Sequence, residues 1–470
     1  GYVVPKEKTV AFEVHADIAA SLTTDNCSGS TSCLQLRFKT SASAYIEAQD
    51  VVRGSSLSGI KTDSTACSST CDITVTTATA KKYALVSQGD LFVQLDTVSV
   101  RKQQLLGGEL TSPIFRVQLT SRNEGIDVTT MQISASGSTA SSIDRLQLYM
   151  DGATSSFMEA TGCGSEDTPG NATFCAKMQN HQLVVPKNTD VKILVRAIMK
   201  SDTDGGTSNQ TIQLYIDPTA TMNYSTGSGA VRAHGVDSSN NLNRALGGAT
   251  SSGAVFIGRA AASAGTNAIV KGPINVSVLS KITSITNAHT STDGSPIPTG
   301  SPTDLGVFKI TAAQANNNLN GANKVVLSGV IFNVTANNVN LTPSSFVIYN
   351  TSDTNTTADC DPFLSGGTEI TGTASGTFLV QCEMLQNSSV NVTIDPGASA
   401  TYALKGTPTA TTNSVYNFQV SLQNFDSLSN TPFGLSPSHF QWQDKDSAST
   451  ATFNWVDLPL TTIGSVIFRN

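Results

Sequence analysis

A proline-containing strand motif occurs three times along this 470-residue chain and ties it to a modular β architecture. Residues 2–7 read Tyr-Val-Val-Pro-Lys-Glu and residues 183–188 read Leu-Val-Val-Pro-Lys-Asn; residues 392–397, more loosely, read Val-Thr-Ile-Asp-Pro-Gly. An alternating apolar run follows each copy: Val10, Phe12, Val14; Val191, Ile193, Val195; Ala400, Tyr402, Leu404. Some 22 to 29 residues past each proline comes an apolar-Gln-apolar strand, beginning at Leu34, Ile212 and Phe418. Recurrence of one β-unit describes an extended protein whose modules build or bind rather than catalyse.

Two-residue periodicity holds almost throughout. Phe115-Arg-Val-Gln-Leu119 and Leu146-Gln-Leu-Tyr-Met150 alternate as half-buried strands do. The denser runs 325–332 and 345–349 suit central strands, and clusters of Gly, Asn, Asp and Ser punctuate the pattern. No window makes an amphipathic helix longer than two turns. The expected fold class is all-β, a tandem of Ig-like β-sandwich domains.

The repeat has a front half as well, running from about Phe115 to Met150 and again from about Phe308 to Tyr349. In each an Asn-containing turn leads to a strand, then to a Tyr-bearing strand and a cysteine loop. The division that follows is an N-terminal β segment at 1–97 resembling the rear half of a unit, then sandwiches at 98–280 and 281–470, the last with a C-terminal aromatic hairpin. Residues 294–303, with Pro296, Pro298 and Pro302 among Gly and Ser, read as a linker. The first copy lacks its front half. Either a longer repeat protein is cut there, or the remnant is a smaller fold, or Tyr2, Val3, Val4, Val10 and Phe12 form an intersubunit strand that completes a neighbour's sheet.

Charged residues make up 13% of the chain, about half the usual share, and the formal net charge is −7. With no basic stripe to neutralise phosphates, nucleic acid is excluded as a partner. No apolar stretch reaches the roughly 20 residues of a membrane span. The eight cysteines fall into close pairs, Cys27/Cys33, Cys67/Cys71, Cys163/Cys175 and Cys360/Cys382, which predicts four disulfide loops formed in an oxidising compartment. Zinc ligation and free thiols compete with that reading, but CxxC is absent and only His181 lies near a pair. An extracellular, cell-surface location follows. Eleven Asn-x-Ser/Thr sequons, at Asn26, Asn171, Asn209, Asn223, Asn275, Asn333, Asn340, Asn350, Asn355, Asn387 and Asn391, permit glycosylation at a frequency chance also yields.

Chemistry is sparse. None of His15, His181, His234, His289 and His439 belongs to a metal-ligand spacing or sits by a nucleophile elbow, so no catalytic or metal residue is assigned and no enzyme is expected. The one cofactor entertained is Ca²⁺, since Asp202 with Asp204, and Asp444 with Asp446, set carboxylates two apart in turns. Solvated turn residues explain the same pairs. Trp442 and Trp455 flank a hairpin and serve either as core rings or as platforms for surface glycans.

The segments Leu148-Tyr-Met-Asp-Gly152, Val184-Val-Pro-Lys187 and Ala233-His-Gly-Val236, with the terminal Phe440-Gln-Trp-Gln-Asp444 and Phe453-Asn-Trp-Val-Asp-Leu-Pro-Leu460, resemble repeats in predicted secreted surface proteins of uncultivated, small-genome bacteria. The likeness covers most of residues 110–470 and implies an S-layer or filament subunit. It carries over no catalytic residue. The expected function is a secreted structural subunit that polymerises with copies of itself into a filament or surface layer; a monomeric adhesin or carbohydrate-binding module is the alternative.

Overall fold

The computed structural model describes residues 3–13 and 15, short stretches up to residue 84, and residues 88–470 apart from 137–139, 164–171, 221–229, 245–252, 261–265, 315–322, 386–389, 413–414, 426–438, 446–449 and 460. The chain is all-β, with two Ig-like β-sandwiches in tandem; helix among the described residues is confined to single 3-10 turns such as Pro343–Ser345.

The first sandwich contains β1 (Asp90–Leu95), β2 (Phe115–Arg122), β3 (Ile126–Ser136), β4 (Ile143–Met150), β5 (Met158–Gly162), β6 (Ala172–Lys177), β7 (Val184–Val185), β8 (Asp190–Met199), β9 (Thr211–Ile216), β10 (Val231–Gly235), β11 (Ala254–Ile257) and β12 (Asn275–Val278). One sheet runs β11-β1-β2-β8-β4-β5 and the other β5-β6-β3-β9-β12. The second sandwich contains β13 (Ile282–Asn287), β14 (Thr303–Ala312), β15 (Lys324–Leu341), β16 (Val347–Asn350), β17 (Asp353–Phe363), β18 (Ala374–Glu383), β19 (Thr393–Ile394), β20 (Ser399–Gly406), β21 (Asn417–Gln423), β22 (Phe440–Lys445) and β23 (Thr462–Arg469). Its sheets run β13-β14-β20-β16-β17 and β17-β18-β15-β21-β23, the same main path apart from β11 and the short strands Asn243–Arg244 and Gln104–Leu106 that extend the first sandwich's sheets at their ends.

Alternation decides which face each strand buries. Phe115, Val117 and Leu119 of β2 point into the core while Arg116 and Gln118 turn outward. The dense run 325–332 lies in β15, which is paired along both edges and is buried along most of that run. Asn123 and Asn323 precede the central strands at φ 73° and 62°, a left-handed conformation that Asn tolerates better than most side chains.

In both sandwiches one strand changes sheets. Met158 to Ala160 of β5 pair with β4, then Thr161 and Gly162 pair with β6; Val347 to Tyr349 of β16 take Asp359 to Thr357 of β17, whose next residues, from Cys360, pair with β18. The disulfides Cys163–Cys175 and Cys360–Cys382 sit at these two crossings and staple the moving strand to its new partner. Closing loops of this length removes about 3 kcal/mol of unfolded-chain entropy per bridge in the loop-closure account. Cys27, Cys67 and Cys71, with the side chain of Cys33, lie outside the described residues.

Two assignments move. The first sandwich begins at Asp90, inside the segment 1–97, because β1 pairs with β2 from Asp90↔Arg122 to Leu95↔Val117. Residues 294–303 are not the linker. They start beside β23, with Gly294 N–H donating to Ile467 O (2.7 Å) and Arg469 N–H to Ser295 O (3.2 Å), and lead into β14 at Thr303; the actual connection is Leu279 to Lys281.

His439, just before β22, is buried against the second core, and burial pushes its pKa down to about 4. The imidazole is therefore neutral in the fold, while an unfolded chain protonates near 6.5. Stability from this group is fully present above pH 6.5 and is lost as pH falls through 6.5 toward 4, by about 3 kcal/mol in all. Thermal melts between pH 7 and 4 should show a steep decline in the native chain and a shallower one in His439→Gln; equal slopes would refute the assignment.

Candidate functional sites at the joint and the N-terminal segment

Only Leu279, Ser280 and Lys281 connect β12 to β13. A stretch this short passes between two cores with backbone donors that need partners. Asp444 supplies them. Its carboxylate accepts the Leu279 N–H (2.6 Å), the Ser280 N–H (3.0 Å), the Ser280 hydroxyl (2.7 Å) and the Ser208 hydroxyl of the first sandwich. The single hydrogen of the Ser280 hydroxyl is shared between that carboxylate and Lys324 O at the start of β15, 3.0 Å away. Burial raises the Asp444 carboxyl above its ordinary value, against the hydrogen bonds from Ser208, Ser280 and Leu279, which lower it.

A second carboxylate, Asp457, closes the other side. Lys281 Nζ (2.5 Å), the Gln104 N–H (3.2 Å) and the Arg101 guanidinium all converge on it. Gln104 also donates from Nε2 to Trp455 O (3.1 Å), the carbonyl that accepts the Trp442 indole N–H (2.9 Å). Lys102 Nζ lies 4.0 Å from the centre of the Trp455 ring. Residues 101–104 of the first sandwich thus seat on the C-terminal hairpin of the second. Val278, at the end of β12, packs in the second core.

The hairpin therefore has a role that its sequence only half announces. Phe440, Trp442 and Asp444 share the inward face of β22, so an acid occupies a core-facing position beside two aromatic rings. Both Trp rings are buried, which makes them packing residues rather than glycan platforms. Ca²⁺ does not fit Asp444: every group aimed at its oxygens is a donor, a set that suits an anion and repels a cation. Asp446 lies outside the described residues. Asp202 and Asp204 share a 3-10 turn in which the Ser201 hydroxyl donates to Asp204 (2.6 Å).

At the N-terminus, Tyr2 is outside the described residues, and residues 3–13 form no strand. Val3 (59% exposed), Val4 (54%) and Phe12 (68%) face solvent, Val10 is half-buried, and the Lys8 N–H closes a turn onto Pro5 O. Of the sequons, Asn209, Asn355 and Asn391 are exposed, and Asn333 and Asn340 are half-buried. Asn275 and Asn350 must be withdrawn as glycosylation candidates. Both are buried, and the amide nitrogen that would carry a glycan donates to Pro273 O (3.2 Å) in one and Asn391 O (3.1 Å) in the other. Asn26, Asn171, Asn223 and Asn387 lie outside the described residues.

His15 sits beside Glu13 at the surface, and both ring nitrogens of His289 engage backbone groups, Asp304 O and Ser291 N–H. His181 and His234 instead come together on Asp127, a convergence with no local spacing to betray it. A groove beside the joint, of about 510 Å³, is lined by Gln103, Leu106, Leu110, Thr111, Lys281 and Ala312.

No protein-family model matches the chain, and no curated protein does. Among solved structures, it is similar to the C-terminal domain of the Streptococcus pyogenes antigen I/II-family protein AspA at 8% identity, over 81% of this chain and 99% of that one, with a TM-score of 0.20. The Enterococcus faecalis MSCRAMM ACE matches at 9% identity over 80% and 94%, TM-score 0.15. The CupB6 tip adhesin from Pseudomonas aeruginosa matches at 7% over 81% and 97%, TM-score 0.16. Scores at this level carry no argument about function.

Removing the Asp444 carboxylate takes the acceptor from the Ser280 N–H and the Ser208 hydroxyl and leaves the Leu279 N–H and the Ser280 hydroxyl only Ser208 Oγ and Lys324 O, a loss of about 3 kcal/mol. Asp444→Ala should lower the melting temperature and open the chain to trypsin after Lys281, where the native protein should resist cleavage. An unchanged digest and melt would show that the joint does not depend on this group.

Proposed function

We propose that the chain is a secreted or cell-surface structural subunit that assembles with copies of itself into an extracellular filament or layer. The joint carries this reading. Two sandwiches meet through three residues whose backbone is hydrogen-bonded to one buried carboxylate and whose lysine is paired with another, so the pair acts as one stiff body. Rigid tandem modules suit a scaffold that transmits position from one contact to the next.

The segment 2–12 is the proposed contact. Its Val3, Val4 and Phe12 expose apolar surface outside both cores, the property an added strand brings to a neighbour's sheet. A surface of few charges and many hydroxyls lets copies approach with little repulsion. Two disulfides fit an oxidising compartment, and among the described residues no helix is long and apolar enough to cross a membrane.

The test compares the full chain with a deletion of residues 1–12 by electron microscopy and solution mass. The full chain should polymerise, and the deletion should remain at 49 kDa or just below with both sandwiches melting as before. Dispersed monomers in both samples would sink the proposal and favour a monomeric adhesin.

A further inference from the structure

We propose that Asp127, His181 and His234 form a binding site for a divalent transition metal of the zinc class, with at least one coordination position open to solvent. Two imidazole nitrogens and one carboxylate oxygen are a ligand set that suits such ions. The candidate donor atoms all lie within 4.8 Å of one another. His181 Nδ1 is 2.7 Å and His234 Nε2 is 3.4 Å from Asp127 Oδ2. Bonds of about 2.0–2.1 Å in a tetrahedron set neighbouring donors roughly 3.3 Å apart, so small side-chain rotations convert this cluster into a coordination sphere.

The scaffold explains how residues so distant in sequence converge. Asp127 lies on central strand β3, with β7 on one edge and β10 on the other; His234 of β10 is its directly paired neighbour. His181 reaches over from the turn that enters β7. There Asn180 and His181 hold φ of 52° and 57°, consecutive left-handed residues without a glycine, which is costly backbone for a histidine. The Gln182 N–H to Gln179 O bond (3.2 Å) and the Gln179 N–H to Gln182 Oε1 bond (3.0 Å) lock the turn. Burial grades outward from Asp127, which is enclosed, through His234 to His181, whose side chain is 67% exposed.

The second sandwich supplies an internal control. The Val128 N–H to Leu183 O bond (2.9 Å) recurs as Leu327 N–H to Val392 O (2.9 Å), and Gln132 N–H to Ala230 O (2.7 Å) recurs as Ile331 N–H to His439 O (2.9 Å). On that register Asp127 corresponds to Val326, His234 to Gln443 and His181 to Val390. The same frame folds with valines buried at two of these places, so the fold itself does not call for the Asp–His–His set. In coordination, Nδ1 of His181 gives up its hydrogen bond to Asp127 and ligates the metal, the ring hydrogen residing on Nε2; His234 ligates through Nε2 with its hydrogen on Nδ1.

The experiment titrates the full chain, stripped with chelator and dialysed, with CoCl2 and in parallel with ZnCl2. One equivalent of Co²⁺ should give the visible absorption of a four- or five-coordinate site, and Zn²⁺ should abolish it. His181→Asn, chosen because Asn accepts the left-handed backbone, and His234→Gln should each weaken Zn²⁺ binding at least tenfold, while melting in chelator stays within a few degrees of native. Absence of the absorption would overturn the proposal, as would Zn²⁺ affinity that neither variant changes; the first result would leave the cluster as hydrogen-bonded side chains only, and the second would place the metal elsewhere on the chain.

Discussion

A strand inside a sheet must satisfy its backbone groups on both edges, and in each sandwich one central strand meets this demand by dividing its length among several neighbours. β15 takes β18 and β19 along one edge and β22, β21 and the short strand Pro408–Thr411 along the other. β3 is served by four, β6 and β7 along one edge and β9 and β10 along the other. Because neighbours change partway along, the first residues of the central strand gather short strands and turns around them. That end is where side chains from remote parts of the chain are forced together. In the second sandwich it holds the joint through Lys324 O and Asp444; in the first it holds Asp127 and both histidines.

The crossing strands answer a related constraint. A strand that leaves one sheet for another interrupts its ladder, and the cross-links Cys163–Cys175 and Cys360–Cys382 sit where pairing resumes. Equivalent placement in both sandwiches makes the bridges part of the repeat rather than local repairs to separate loops.

The fold was readable because its signals are local. Phe115 to Leu119 alternates, the Pro-motif recurs before β8 and β20, and the apolar-Gln-apolar runs became β9 and β21. The linker was not, since Pro and Gly mark any segment released from a sheet ladder, including the loop that shields β23. Leu279-Ser280-Lys281 contains neither, as befits a connection held in one conformation. Asp127, His181 and His234 were invisible for a different reason: strand pairing across more than fifty residues unites them, and no spacing rule reaches so far. Asp444 stood between these cases, its inward phase on β22 visible in the alternation but its partners not.

Entry into the first sandwich follows the same chemistry as entry into the second. The Gly89 N–H, just before β1, donates to Glu124 Oε1 (2.6 Å), a buried carboxylate that also accepts the Ser238 N–H (3.0 Å). Asp444 does this for Leu279 and Ser280 from another strand. An entering backbone capped in this way has little freedom to swivel, so the second sandwich takes a set azimuth from the first. Sandwiches coupled by such a cap turn together as one block, and a torque applied to one is felt by the other rather than spent at the joint.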